Sequence, residues 1–179
     1  MVSDKDDGYI LALGQSGRDY ATLLRAVADT DLPVVIVAGS PSALGGVAPS
    51  ANVRVLYNTG HEQTNELIAN ATLHCIPLHA EGYSAGQTVL LRAMARGKAV
   101  VVTDTPGIRD YVRPGETSAT VAPADSESLK TVLLELWNRP DERARIGHNA
   151  ARAVREEFSF ARFVERLVTL FYSSSGSSR

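Results

Sequence analysis

Two glycine-containing segments of the sequence combine residue types that can hold an anion. The first reads GQSGRD, in which Gly14 and Gly17 let the backbone approach a ligand and Arg18 can pair with a phosphate group. The second covers residues 81–88 (EGYSAGQT) and runs into a predicted helix, whose first N–H groups and dipole favour an anion. Glu81, at its start, can accept hydrogen bonds from sugar hydroxyl groups. A phosphate ester of a sugar is therefore the kind of ligand that these residues predict.

Each segment also has a plainer interpretation. The first lacks the GxGxxG pattern of dinucleotide-binding loops, so it can also be a tight turn with Arg18 facing solvent. In the second, Ser84 can act as the cap of a helix that binds nothing. A third segment follows the fifth predicted strand, where Asp104 and Thr105 can line the same cleft, although Pro106 and Gly107 are more typical of a simple turn.

Other chemically capable residues are placed away from a site by their context. The pair Asp29 and Asp31 could bind a metal ion, but it lies between a helix and the start of a strand, at the opposite edge of the predicted sheet. Cys75 and His74 lie inside an apolar run and are interpreted as packed core residues. His79, which follows that run, can contact a ligand, although this is the less favoured interpretation. No metal site is predicted.

The elements that must position these loops follow from the apolar pattern. Runs such as VVIVA and AVVVT are apolar at every position except the last of the second run, which is typical of strands buried on both faces of a parallel sheet. Alternation of such runs with segments of helical spacing predicts an α/β fold: a Rossmann-like, doubly wound, mostly parallel six-stranded sheet with helices on both faces. Ligands bind such sheets beyond the carboxyl ends of the strands. The predicted strands are Tyr9–Leu13, Pro33–Ala38, Val53–Tyr57, Leu73–Leu78, Ala99–Thr103 and Ala119–Ala122.

The sequence changes after Pro123 to a helical C-terminal trailer. One helix is predicted from Ser126 to Pro140, a second from about Asp141, and a third from about Ser159. The polar ends of the chain are predicted to be disordered. The predicted organisation is a disordered start or linker at 1–8, a single domain at 9–172 and a disordered tail at 173–179.

Composition narrows the classes of function. The 179 residues carry 18 basic and 20 acidic side chains, and the net charge of −2 argues against nucleic acid as a partner. A single cysteine excludes an internal disulfide and fits a reducing compartment. No apolar run reaches the roughly 18 residues of a membrane span, and the acidic, polar start does not resemble a signal peptide. A cytoplasmic location is expected.

The order of several motifs resembles one known family. Tyr83 begins YSAGQT, which is followed by LLRAMARGKAVVVTDTPGIRDYV, by GET from Gly115 and by VAPAD from Val121. This series resembles the C-terminal domain of GT-B glycosyltransferases, and most closely the retaining, nucleotide-sugar-dependent group that includes relatives of glycogen and sucrose synthases. The resemblance covers roughly residues 9–171.

The resemblance implies a function and a site. It implies that this domain binds a nucleoside diphosphate sugar, from which a hexose-type sugar is transferred with retention, without a metal or other cofactor. An N-terminal acceptor domain, in cis or in trans, would complete the enzyme, and any peripheral membrane association would come through that half. Arg18 resembles the basic residue that meets the donor diphosphate, and Glu81 the first of a pair of glutamates. The expected catalytic residues are Arg18 and Glu81, and the expected donor-binding residues are Gly14, Gln15, Gly17, Ser84, Ala85, Gly86, Gln87, Thr88 and Arg92.

Three positions differ from the family pattern. Arg92 stands where the second glutamate usually contacts the nucleotide ribose, Gln15 where many relatives have a basic phosphate ligand, and Ser118 where relatives usually have glycine. Three hypotheses follow: the donor-binding half of a longer glycosyltransferase, the donor subunit of a two-chain enzyme, or a non-catalytic domain of the same fold that is used for interaction.

Overall fold

The predicted sheet is confirmed. The computed structural model describes residues 7–80 and 84–175, and it contains one six-stranded sheet in the order β3-β2-β1-β4-β5-β6. Every pairing between neighbouring strands is parallel. The strands are β1 (Ile10–Leu13), β2 (Val34–Ala38), β3 (Val53–Tyr57), β4 (Leu73–Ile76), β5 (Val100–Thr103) and β6 (Ala119–Val121).

Helices cover both faces of the sheet, as predicted. One face packs against α1 and α5, and the other against α2, α3 and α6, so the central strands are buried on both sides. This double burial explains why β2 and β5 are apolar at nearly every position. The helices are α1 (Tyr20–Val27), α2 (His61–Asn70), α3 (Gln87–Ala95), α4 (Pro106–Arg109), α5 (Ser126–Asn138), α6 (Pro140–Glu157) and α7 (Phe160–Ser175).

The ends of the helices in the trailer are closed by the expected signals. Asp125 caps α5 by accepting a hydrogen bond from the Ser128 backbone N–H at 2.9 Å. Pro140 occupies the first turn of α6, where its missing N–H costs nothing. Arg143 donates to the carbonyls of Leu136 and Trp137 at the end of α5. The boundary between these two helices therefore lies where the sequence places it.

One local feature differs from the sequence-based expectation. Pro106 begins the helical turn α4 instead of a simple turn, because it again occupies a first-turn position. At the N-terminus, the Asp7 backbone N–H donates to the Asn70 carbonyl at 3.0 Å. At the C-terminus, α7 continues to Ser175. The domain bounds and the disordered ends expected from the sequence stay predictions.

Within residues 7–80 and 84–175, no helix is both long enough and apolar enough to cross a membrane.

His74 in β4 is a titratable group in the core of the sheet. Its side chain is fully buried, and its Nε2 lies 3.1 Å from the Ile68 carbonyl oxygen, to which only a protonated nitrogen can donate. Its Nδ1 has no hydrogen-bond partner among the described residues. Burial is the largest cause that lowers the pKa of His74; together with the charges of Lys98 and Arg96, and against the raising effect of the Ile68 hydrogen bond, it brings that pKa to about 4. The ring is therefore neutral in the folded protein at pH 7.

We expect this histidine to make the domain sensitive to mild acid. Between pH 6.5 and about 4 the unfolded chain binds a proton at His74 that the folded chain does not, so stability falls as the pH falls. The loss attributable to His74 is about 3 kcal/mol at pH 4. Urea unfolding at pH 7, 5 and 4 measures it. His74→Leu should flatten the pH dependence, whereas the exposed His148→Gln should not; equal slopes for wild type and His74→Leu would contradict the prediction.

Candidate functional site

The candidate site lies at the centre of the sheet, where strand order reverses. β1 and β4 are neighbours, but β1 leads to α1 on one face and β4 leads toward α3 on the other. The two connections diverge, and a crevice opens between them at the carboxyl ends of the strands. Such a switch point is the usual ligand site of doubly wound sheets. The first segment predicted from the sequence and the described residues 84–88 of the second line this crevice.

Backbone hydrogen bonds join the loop after β1 to the segment after β4. Arg18 and Leu78 form an isolated antiparallel bridge. The Asp19 N–H donates to the Pro77 carbonyl at 3.1 Å, and the His79 N–H donates to the Gly17 carbonyl at 3.1 Å. The residues that directly follow β4 therefore fix the position of the loop after β1.

A cavity of about 350 Å³ lies between the two segments. This volume is near the lower end of the range for small-molecule sites. The residues that line it come from the loop after β1 and from the start of α3; they are Gln15, Ser16, Arg18, Ser84, Ala85, Gly86, Gln87, Thr88 and Val89. The structure therefore brings together most of the predicted site residues.

The two glycines of the first loop are required by close approaches. A Cβ atom at Gly14 would lie 2.6 Å from Nε and Cζ of Arg18, and one at Gly17 would lie 2.9 Å from the Cβ of Ala85. Both glycines also have positive φ angles, of 132° and 67°. Gly14 makes room for the arginine, and Gly17 lets the first loop touch the second.

Arg18 is largely buried, with 8% of its surface exposed. Its Nε donates to the Leu13 carbonyl and its Nη1 to the Ser16 carbonyl, each at 2.9 Å. The solvent-facing arginine considered from the sequence is therefore wrong, because the guanidinium folds back on the end of β1. It lines the cavity in a fixed position. Contact with a diphosphate remains a prediction.

The start of α3 presents a helix terminus to the cavity. Gly86 is the N-cap residue, with a φ angle of 93°, and among residues 7–80 and 84–175 no side chain caps this terminus. The first intrahelical bond runs from the Leu90 N–H to the Gly86 carbonyl at 2.9 Å. The alternative that placed Ser84 as the cap is wrong, since its hydroxyl interacts with the Gln87 side-chain amide. First-turn N–H groups therefore lie beside the cavity, as an anion site needs.

Asp104 in the loop after β5 lies at the same edge but is engaged elsewhere. Its carboxylate accepts two hydrogen bonds from Arg109, at 2.8 and 3.1 Å, and these hold the pKa of Asp104 below its usual value. Thr105 is buried at the start of α4. The connection after β5 contacts the site instead through Gly107 of α4, whose carbonyl accepts a hydrogen bond from Gln87 at 2.9 Å.

Arg92 does not line the cavity. Its Nη2 donates to the Asn65 side chain of α2 at 2.6 Å, and its carbonyl accepts a hydrogen bond from Arg96. Ser118, another of the three positions that differ from the family pattern, is fully buried just before β6, and its hydroxyl has no partner within the described part of the chain. Glu81, expected to be catalytic, lies outside the described residues.

Asp19, the last residue of the loop after β1, has a structural role that was not predicted from the sequence. Its carboxylate caps α1 by accepting from the Thr22 N–H at 3.0 Å and the Thr22 hydroxyl at 2.7 Å. His79 lies 3.9 Å from the same carboxylate. The signal was present in the sequence, since aspartate directly before a helical segment is a common N-cap.

The groups set aside from the sequence are placed as predicted. Cys75 is buried in β4, and burial raises the pKa of its thiol to about 12, so it is not a thiolate near neutral pH. Asp29 and Asp31 lie between α1 and β2, at the opposite edge of the sheet. Within residues 7–80 and 84–175, no three His, Cys, Asp or Glu side chains are arranged as a metal site would need.

The fold and the cavity define a doubly wound α/β domain with a ligand crevice at its switch point. Residues 16–139 match the family described as Glycosyl transferases group 1. The chain belongs to this family, and the resemblance found in its motifs is confirmed.

Individual relatives agree with this assignment. The chain is 33% identical over 111 residues to an MMP alpha-(1->4)-mannosyltransferase of Mycolicibacterium hassiacum, a match that covers 62% of this chain and 26% of the relative. Its fold is similar to that of Anabaena HepE, solved with UDP-glucose (TM-score 0.74, 16% identity, 93% of this chain and 49% of that one). It is also similar to the C-terminal domain of LpcC from Francisella tularensis (TM-score 0.70, 16% identity, 87% and 89%). These structures support the expected GT-B fold.

The chain is much shorter than its curated relatives. It spans 26% of the mycobacterial mannosyltransferase and 41% of a mannosyltransferase of Corynebacterium glutamicum. By contrast, it covers 89% of the LpcC C-terminal domain. The length matched is therefore that of one domain of such proteins.

Proposed function

We propose that this chain is the donor-binding half of a glycosyltransferase that moves a hexose from a nucleoside diphosphate sugar to an acceptor, with retention of configuration and without a metal ion. The observation that carries the proposal is the cavity at the switch point, which is lined by the buried Arg18 and by the start of α3, a helix terminus that no side chain of residues 7–80 or 84–175 caps. Membership of the glycosyltransferase family supports a nucleoside diphosphate sugar as the anion that this cavity binds.

The chemistry follows from where charge develops. When the bond between the sugar and the diphosphate breaks, negative charge grows on the departing phosphate oxygens. Arg18 and the first-turn N–H groups of α3 are fixed donors that would stabilise this charge without rearranging. They would replace the metal ion that other transferases use for the same purpose. Glu81 is proposed to contact the sugar.

The names of similar proteins support the class of substrate. Two of the relatives are named mannosyltransferases, and one of these is described as GDP-mannose-dependent; the HepE structure contains UDP-glucose. Both donors are hexoses on a nucleoside diphosphate. The proposal therefore covers that class and leaves the base and sugar open. The cytoplasmic location expected from the sequence stays a prediction.

Calorimetric titration of the purified chain tests the proposal. GDP-mannose, UDP-glucose, GDP and UDP are titrated separately, with and without EDTA, and the folded state is checked by circular dichroism. We expect saturable binding of at least one nucleotide, unchanged by EDTA, and no turnover by the chain alone. A folded sample that binds none of the four would contradict the proposal.

We also propose that a second unit completes the enzyme, in cis or in trans. One face of α7 carries large apolar side chains that are substantially exposed: Phe160 (80%), Phe163 (57%), Val164 (41%), Leu167 (38%) and Val168 (47%). Their spacing at three and four residues forms one continuous stripe. A stripe of this size on a surface usually marks a contact with another protein. Together with the partial coverage of the relatives, it supports docking of the acceptor-binding half.

Substitution of the stripe separates docking from donor binding. Phe163→Ser with Leu167→Ser should abolish transfer by the complete enzyme, or association with a separate acceptor subunit, while the titrations above stay unchanged. Retained transfer in the double variant would show that the acceptor half does not depend on this face.

A non-catalytic interaction domain is the second candidate function. It is favoured by Arg92, whose side chain is tied to Asn65 instead of facing the cavity, so the family's ribose contact is missing. If this candidate is right, wild type binds no nucleotide and Arg92→Glu does not restore binding. Restored binding would exclude it.

A further inference from the structure

Gln87, the first residue of α3, makes two contacts with a single side-chain nitrogen. Its Nε2 donates to the Gly107 carbonyl at 2.9 Å and also to the Ser84 hydroxyl oxygen. A side-chain amide carries two N–H groups, so these contacts use both of them. The remaining amide oxygen can only accept a hydrogen bond. A phosphate oxygen is itself an acceptor, so the Gln87 side chain has no N–H group left to donate to it.

The contact partners of Gln87 are packed closely together. A Cβ atom at Gly107 would lie 2.5 Å from the Ser84 hydroxyl oxygen, 3.1 Å from the Ser84 Cα and 3.2 Å from the Gln87 Nε2. Only glycine allows the connection after β5 to lie this close to the start of α3. Within the same connection, Arg109 donates two hydrogen bonds to Asp104, which join the residues on either side of Gly107.

The neighbouring N-cap also depends on a constrained backbone. Gly86 has a φ angle of 93°, and a Cβ there would lie 3.3 Å from side-chain carbons of both Ile76 and Leu78. The segment from Ser84 to the first turn of α3 therefore packs against the side chains of Ile76 and Leu78 on one side and against α4 on the other. Gln87 is the side chain that connects this segment to α4.

We infer that Gln87 is a positioning residue: its amide clamps α4 to the start of α3 and so holds the Ser84 hydroxyl toward the phosphates of the nucleotide. This inference rests on the proposed function and changes the role expected for Gln87, from a ligand of the donor to a support for one. The Ser84 hydroxyl accepts from Gln87 and so has its proton free to donate to a phosphate oxygen. Its orientation is set before the nucleotide arrives.

The clamp predicts coupled losses of affinity. Gln87→Ala should weaken binding of the nucleotide that binds wild type by about tenfold, the effect of one misplaced hydrogen bond to a charged group. Ser84→Ala should cost a similar factor. The double variant should lose no more than the larger single loss, because both residues act through one contact. The matched control is Gln63→Ala, at an exposed position of α2, which should change nothing.

A second measurement does not depend on the nucleotide. In NMR spectra of the nucleotide-free chain, the side-chain amide protons of Gln87 should show nuclear Overhauser contacts to Gly107 and slowed exchange. Absence of those contacts would overturn the clamp, and so would losses that multiply in the double variant, which would mean that Gln87 contacts the ligand independently. Contacts present in a chain that binds no nucleotide would instead contradict the proposed function.

Discussion

Replacing Arg18 with glutamine should weaken nucleoside diphosphate binding by roughly 10- to 100-fold, the cost of removing one charge-assisted hydrogen bond to a phosphate. The arginine lines the cavity, and its hydrogen bonds to the Leu13 and Ser16 carbonyls hold its positive charge there. Isothermal titration with the nucleotide that binds wild type measures the change.

The same substitution should also reduce stability. Two carbonyl groups lose their donor, and we expect a cost of about 1–3 kcal/mol in the free energy of unfolding. Arg18→Lys separates the two effects, because an ammonium keeps the charge but cannot reproduce the planar fork that reaches both carbonyls. It should retain more affinity than glutamine while losing similar stability.

The control for Arg18 is Arg155→Gln on the exposed surface of α6, which removes one positive charge far from the loop. It should leave affinity and stability nearly unchanged. A folded Arg18→Gln variant with wild-type affinity would show that this arginine supports the loop after β1 without meeting the ligand.

The architecture was predictable because burial on both faces leaves a strong pattern. The runs that become β2 and β5 are apolar at every position except Thr103, and their predicted bounds differ from the observed ones by a single residue. β4 was predicted to continue to Leu78 but ends at Ile76. Pro77 has no N–H for the ladder, and Leu78 pairs with Arg18 in an antiparallel bridge instead.

The site was predictable only as far as the topology determines it. Parallel strands place the loops of Arg18 and Ser84 at one edge, and this needs no knowledge of side-chain directions. The direction of Arg92 depends on a hydrogen bond to Asn65, which is 27 residues away in sequence. The role of Gln87 likewise depends on Gly107, 20 residues away. Contacts of that kind are created by helix packing and leave no local pattern.

At Gly147, α6 packs closely against the turn between α3 and β5. A Cβ atom there would collide with the Gly97 carbonyl oxygen, and it would lie 2.8 Å from the carbonyl carbon and 3.4 Å from the Ala99 nitrogen. These are backbone atoms of the sheet connection and cannot rotate away. Ala150 and Ala153 of the same helix are buried in the core beyond this contact.

We therefore expect Gly147→Ala to lower the free energy of unfolding by about 3 kcal/mol, at the upper end of the cost of overpacking. In an unhindered helix the same substitution would stabilise by about 1 kcal/mol, because alanine is the better helix former. A decrease in the free energy of unfolding therefore indicates that α6 packs tightly against the turn at Gly97, and an increase indicates that it does not. Urea unfolding measures it, with His148→Ala at the exposed neighbouring position as the control. A stabilised Gly147→Ala protein would mean that α6 lies farther from the sheet than described, and that Ala150 and Ala153 are correspondingly less buried.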